Sequence, residues 1–439
     1  MKIAFYLPPM GNRIIDAVNP ELGNPGIGGT QYQMILLAHL LSKEKPEWQI
    51  FCFAENDMLL SEKVNFVKIS ENIFLDTINR LKIDILVSPN LNPPILQKLD
   101  LPKYLNIVVR SGNSIDIKKS YFIEKKENVK ANVFVGKQFY DNFLDNNIIK
   151  KSKYIFNMIV DPCEQNIKRE INSKIVVYMG ALVKTKGFLE LAKIWKDILK
   201  DVPDAKLYVI GSGKLYNTDK ELGVLGIADK EFEDDFLPYI SDKNGLLPSV
   251  KFLGVLGKEK YDVFSKASVG VANPSGVSET FCSTVIEMNC ASLPVVSIDK
   301  FSLPDVVKNG QTGLLGKNNR QIKKHIVRLL RDDELNERLG LNAKEFVKNF
   351  SPQKMIGQWI ELFQQVQGGT FAPEYDPPAS PYNNRYKWLR IINRFLRFNL
   401  KLSFLPPITN IKPYINGISN GNERCQKKIS YGLRLLYVL

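Results

Sequence analysis

An α/β protein with two parallel sheets, each covered by helices on both faces, is the fold class that this 439-residue sequence predicts. Three observations lead there. Short apolar runs alternate with amphipathic segments of helix length, the pattern of buried parallel strands and their crossovers. The alternation breaks at a polar stretch, residues 161–173 (DPCEQNIKREINS), and then starts again. The length suits two domains of ordinary size and a tail. Two Rossmann-like halves facing a cleft are therefore expected.

In the first half, residues 1–165, KIAFYLP (2–8) reads as a buried strand. GGTQYQMILLAHLLSKE (28–44) is a glycine turn entering a helix, with His39 on its apolar side as a packed core residue. QIFCFAE (49–55), KIDILVSP (82–89), LNIVVRS (105–111) and ANVFVGK (131–137) supply further strands. In the second half, residues 173–350, strands are expected in KIVVYMGAL (174–182), KLYVIGSG (206–213), VKFLGVLG (250–257), VGVANPS (269–275) and LPVVSID (293–299). Residues 213–250 exceed an ordinary connection and read as a partly helical surface insertion. GSGK (211–214) has neither Walker nor full Rossmann spacing and reads as a strand-end turn. His325 looks like a surface helix position. A closing helix is expected within 351–367, followed by a Gly/Pro linker (368–381) and a tail (382–439).

Composition narrows the class. An apolar fraction of 44% with 24% charged residues is globular. The five cysteines have neither metal-ligand nor paired spacing, as expected of a reducing cytosol. The first residues enter a strand without a signal-peptide apolar core, and no run of about twenty apolar residues occurs. Net charge is +14. The tail holds eleven Lys or Arg against one acid, Glu423, so +10 belongs to it and +4 to the other 381 residues.

The stretch from Ala272 to Val296, ANPSGVSETFCSTVIEMNCASLPVV, carries the functional signal. Glu279 falls in a polar turn, and Glu287 eight residues on in an apolar run read as a helix. Two carboxylates thus flank a helix N-terminus at the carboxyl end of a parallel strand, where open α/β sheets bind ligands and free N–H groups favour phosphate. A carboxylate repels phosphate but accepts hydrogen bonds from hydroxyls, so the combination points to a nucleotide sugar.

This segment resembles the donor-site signature of retaining glycosyltransferases of family 4, two glutamates separated by seven residues. Pro274-Ser275, Glu279-Thr280-Phe281 and Leu293-Pro294-Val295-Val296 agree with it. The resemblance implies a GT-B fold and a nucleoside diphosphate sugar as donor. It implies that Glu287 takes the ribose and Glu279 the sugar hydroxyls. Lys186 and the N–H groups around Thr280, Phe281, Cys282 and Ser283 would hold the diphosphate. Gly28 and Gly29, in GIGGTQ (26–31), match the family's N-terminal glycine loop. YMGALVKTKGF (178–188) keeps Gly180, Leu182, Lys186 and Gly187 of the family's Gly-Arg-Leu…Lys-Gly pattern, but Ala181 stands where the arginine is expected. Lys184 is a candidate substitute, as a point charge in place of a bidentate fork. The family's N-domain histidine is also missing. After LNIVV the chain reads Arg110-Ser111-Gly112-Asn113, and Arg110, Ser111 and Asn113 become candidates for acceptor or donor contacts. Asp305 stands for the more usual glutamate of a turn closing the nucleotide pocket. No metal or other cofactor is expected, because positioning plus charge stabilisation suffices for same-face transfer.

In the tail, Trp388, Ile391, Ile392, Phe395, Phe398 and Leu402 interleave with Arg385, Lys387, Arg390, Arg394, Arg397 and Lys401. A basic amphipathic helix with aromatics reads as binding an anionic membrane surface through 382–404 rather than nucleic acid. The leading expectation is a cytoplasmic, membrane-associated hexosyltransferase acting with retention on a glycan or lipid-linked acceptor, in surface polysaccharide or lipopolysaccharide synthesis. Two other readings stay open: a decayed partner or binding subunit, on the strength of Ala181 and the absent histidine, and a nucleotide-sugar epimerase.

Overall fold

The computed structural model describes residues 1–9, 14–25, 27–97, 100–160, 169–213, 221–373, 375–376, 378 and 386–411. The first lobe contains β1 (Lys2–Tyr6), β2 (Ile15–Ala17), α1 (Gly29–Glu44), β3 (Gln49–Ala54), β4 (Met58–Leu60) and β5 (Val64–Lys68). It continues with α2 (Phe74–Leu81), β6 (Ile85–Pro89), β7 (Asn106–Ser111), α3 (Ile117–Lys125), β8 (Val129–Phe134), α4 (Lys137–Asp141) and β9 (Ser152–Tyr154). Seven strands form a parallel sheet in the order β5-β3-β1-β6-β7-β8-β9. Alternate residues of β1 enter different cores, Ile3 and Phe5 on one face, Ala4 and Tyr6 on the other. Both faces are buried, which is why the strands read as continuous apolar runs.

The second lobe contains β10 (Ile175–Met179), α5 (Phe188–Asp201), β11 (Lys206–Ile210), α6 (Lys230–Ile240), β12 (Ser241–Asp242), β13 (Gly245–Leu246), β14 (Val250–Gly254) and α7 (Lys260–Ser265). After these come β15 (Val269–Val271), α8 (Ser283–Cys290), β16 (Val295–Ile298), α9 (Leu303–Val306), β17 (Gly313–Gly316), α10 (Asn319–Arg331) and α11 (Asp333–Val347). Its six-stranded parallel sheet has the order β14-β11-β10-β15-β16-β17. The strand order reverses beside β1 in one lobe and beside β10 in the other. A crevice opens at such a switch point, outside the carboxyl ends of the strands. The loops after β10 and β15 both leave the carboxyl end of the second sheet there.

Two expectations need refinement. The insertion is half core: Phe232 and Phe236 of α6 are buried, and the buried Glu233 carboxylate accepts from the N–H groups of Leu225, Ile227 and Ala228. His39 is buried but bonded, Nδ1 to Ser61 Oγ and Nε2 to Glu21 Oε2, each at 3.0 Å. Lys214 of GSGK lies outside the described residues.

Ser351 and a proline at the next position start α12 (Pro352–Gln367). Its Met355, Trp359, Leu362 and Phe363 pack into the first lobe's core, with the Phe363 ring 6.4 Å from Phe5. The chain thus returns to its starting lobe. It then forms α13 (Lys387–Arg394), continued as a wider turn over Phe395–Asn399, also against the first lobe. No described helix is long and apolar enough to cross a membrane.

Candidate active site

The loop after β10 is fixed from beneath. The buried Tyr178 hydroxyl donates to Lys186 O at 2.9 Å. Gly187 sits at φ +79, and a Cβ there would lie 2.4 Å from Ser275 N, so only glycine lets this loop meet the one after β15. That contact brings Lys186 Nζ to 2.9 Å from Glu279 Oε2, across 93 residues of sequence. Asn273, two residues past β15, donates its amide to the same oxygen at 3.0 Å and to Ser278 O at 3.1 Å. The Glu279 side chain is only 8% exposed, so its charge is held by these two donors rather than by water.

α8 starts four residues on. No side chain caps it, since Cys282 occupies the N-cap. One turn in, Glu287 pairs with Lys260 of α7 at 2.5 Å. Facing it is α1, whose half-buried Tyr32 phenol is held well above its usual range, first by desolvation and then by the Glu287 charge. Gly28 and Gly29 begin α1, again without a side-chain cap.

The two lobes touch on either side of this space. Thr280 Oγ1 donates to Gly112 O at 2.6 Å. Beside Gly112 lies Arg110, 3% exposed, with Nη2 on Asn157 Oδ1 and Nη1 without a hydrogen-bond partner among the described residues. A Cβ on Gly112 would meet Arg110 Nη1 at 3.2 Å and Thr30 Oγ1 at 3.3 Å, so the guanidinium lies against the start of α1. Burial pushes it down to about 10, leaving it charged at neutral pH.

The second contact is Gln138 N donating to Asp305 Oδ2 at 2.9 Å. Asp305 is buried, and desolvation lifts its carboxyl from 3.8 to about 7. Between those values the folded state keeps a proton that the unfolded chain has released. The stability this confers is full below about pH 4 and lost as pH rises through 7. From pH 5 to 8 the urea midpoint of the wild type should fall relative to Asp305→Asn, and parallel curves would refute the assignment.

Several expected site residues lie elsewhere. Lys184 pairs with Glu231 (2.5 Å) and Asp235 (3.1 Å) of α6, because two exposed acids there outcompete the cleft. Phe281 and Cys282 turn inward, Phe281 against Phe156 and Phe350 and Cys282 Sγ towards Thr284, leaving only their backbone at the cleft. Ser111 is fully buried, donating to Asn132 Oδ1 at 2.6 Å, and so is out of reach of an acceptor. Asn113 is exposed, with its backbone N–H on Asn90 Oδ1. Gly180 packs under Tyr178. Asp305 joins the lobes, a role beyond closing one pocket. Asn273, Lys260 and Tyr32 were missed. Asn273 had a signal, a lone polar residue just past a buried strand; Lys260 had none.

Residues 164–346 match the family profile described as glycosyl transferases group 1. Over those residues the chain is similar to a glycosyl transferases group 1 domain. An uncharacterized glycosyltransferase of Methanocaldococcus jannaschii is 26% identical over 322 residues, 70% of this chain and 81% of the relative. The capsular polysaccharide biosynthesis glycosyltransferase CapM of Staphylococcus aureus is 26% identical over 210 residues, 47% of this chain and 50% of that protein. This chain therefore spans about half the length of some relatives that it matches. Among solved structures, sucrose-phosphate synthase of Thermosynechococcus elongatus superposes with a TM-score of 0.62 at 17% identity, covering 84% of this chain and 99% of the other. Anabaena HepE in complex with UDP-glucose gives 0.57 at 13% identity, covering 83% and 100%. At these identities the structural likeness carries the fold, two Rossmann-like lobes in the GT-B arrangement. The matched residues coincide with the lobe holding Lys186, Glu279 and Glu287.

Proposed function

We propose that the protein is a retaining glycosyltransferase that moves a hexose from a nucleoside diphosphate sugar to a glycan or lipid-linked acceptor. The observation that carries this is the Lys186–Glu279–Asn273 cluster at the uncapped start of α8, facing the glycine start of α1. Glu287 accepts from the ribose hydroxyls, leaving Lys260 as its outer partner. Glu279 accepts from hydroxyls of the donor sugar. Lys186 and the first N–H groups of α8 bind the diphosphate, where negative charge grows as it departs. The bond from the anomeric carbon to the diphosphate oxygen breaks, the acceptor oxygen bonds to that carbon on the same face, and its proton passes to the departing diphosphate.

Arg110 supplies the charge that Ala181 cannot. Its spare Nη1 and its place beside Gly112 and Thr30 support a diphosphate contact from the opposite lobe. Arg110→Ala should weaken donor binding by roughly 10- to 100-fold, the worth of one or two hydrogen bonds to a charged group. Ala181→Arg should change activity by less than about threefold, because the position it would serve is already filled. A large gain from Ala181→Arg would instead favour the decayed-subunit reading.

The capsular polysaccharide relative supports a surface polysaccharide or lipopolysaccharide product, made at the cytoplasmic face of the cell membrane. The test is product analysis with purified protein, a panel of nucleotide sugars and acceptor. An axial donor bond giving an axial product bond supports retention; the opposite anomer overturns it. Conversion of the donor sugar without acceptor would identify an epimerase.

A further inference from the structure

The described part of the tail, residues 386–411, docks with its polar side inward, the reverse of what an anionic surface would draw out. Arg390, 1% exposed, donates from Nε to Asn142 O at 3.0 Å. Arg394 Nη1 donates to Leu144 O at 2.8 Å, and its guanidinium stacks over the Tyr375 ring at 4.0 Å. Arg397 Nη2 donates to Asn147 Oδ1 at 3.1 Å. Asn393 donates to the buried Asp145 carboxylate at 2.8 Å, and the chain's return at Ile408 N donates to the same oxygen at 2.6 Å. Three arginines expected to meet lipid are therefore spent on the first lobe.

What remains outside is apolar. Trp388 and Phe404 are 69% and 70% exposed, and Ile392, Phe395 and Leu400 are each more than half exposed. Trp388, Ile392 and Phe395 fall at i, i+4 and i+7, one stripe of the helix. Lysines edge it: Lys387 lies against the Trp388 ring at 5.5 Å, Lys150 over the Phe398 ring at 4.9 Å, and Lys401 is exposed. An apolar strip with Trp and Phe, bordered by long cationic side chains, matches the boundary between acyl chains and headgroups.

We propose that this strip inserts into the surface of an anionic bilayer, with the apolar side chains supplying most of the binding and the arginines serving as the protein's own anchors. The occupant is a bilayer rather than a second copy because residues 382–439 carry +10, and still +7 with the three docked arginines set aside, which opposes close pairing of two such tails and suits an anionic surface. This deepens the membrane placement proposed above and rests on it. The inserted face fixes which lobe meets the lipid, the first lobe, opposite the one that holds Glu279 and Glu287.

The test is flotation of the full-length chain with vesicles of 30% phosphatidylglycerol in phosphatidylcholine, for wild type and for Trp388→Ser/Phe395→Ser. Both positions are exposed, so the fold should persist, and nucleotide-induced thermal stabilisation checks the donor site separately. The expected result is a tenfold or greater loss of binding in the double variant. A rise from 0.1 to 0.5 M salt should lower wild-type binding by less than tenfold. Binding that survives the substitutions and vanishes in salt would overturn the insertion while leaving a membrane enzyme. No binding to any vesicle would overturn both. A concentration-dependent dimer in light scattering, dissociated by the same substitutions and without vesicle binding, would assign the strip to a second copy.

Discussion

Lys186→Ala should lower kcat/KM by roughly 10²- to 10³-fold, the usual cost of removing one donor aimed at developing negative charge. It should also lower stability by about 1–3 kcal/mol, because Glu279 loses a partner in a site nearly closed to water. The two effects separate in Lys186→Ala/Glu279→Gln. There the unpaired charge is gone, so the melting temperature should recover while activity stays low. Recovery of both would mean that Lys186 only props up Glu279. Loss of stability without loss of activity would remove Lys186 from the chemistry.

Glu287→Ala should abolish most of the stabilisation given by nucleoside diphosphates. Ligand at a hundred times its Kd adds roughly 2.7 kcal/mol, and a variant binding 100-fold more weakly would keep only about 0.4 kcal/mol at the same concentration. Lys260→Ala is the control, since it breaks the same ion pair but leaves the carboxylate to the ribose. A panel of UDP, GDP, ADP and TDP also identifies the base. Equal shifts in wild type and Glu287→Ala would show that the nucleotide sits elsewhere. No shift with any of them would put the partner-subunit reading first.

Both lobes were legible because buried parallel strands leave a pattern that helices and loops do not imitate over five repeats. The proximity of Glu279 and Glu287 to the start of α8 was legible because both belong to one strand–turn–helix unit. Contacts between distant segments were harder. Nothing near Lys184 in sequence says that Glu231 and Asp235 lie within its reach, whereas Lys186 stands beside the glycine that lets two loops meet. Ser111, ending β7, and Cys282, at the N-cap of α8, show a second limit, since a small polar residue at the end of an element serves the interior as readily as a ligand. The tail shows a third. Amphipathicity gives two faces but does not say which has a partner, and backbone carbonyls at residues 142 and 144 claimed the arginines.

The contacts Thr280–Gly112 and Gln138–Asp305, with the Phe156 ring against Phe281, clasp the two lobes together across the cleft. Parting the lobes to admit a ligand would break both hydrogen bonds, at about 1 kcal/mol each, so the clasp sets part of the threshold for ligand entry. Asp305 ties that threshold to pH, because burial lifts its carboxyl to about 7. A cell whose acidity or alkalinity shifted would retune that threshold without altering a single contact to the sugar.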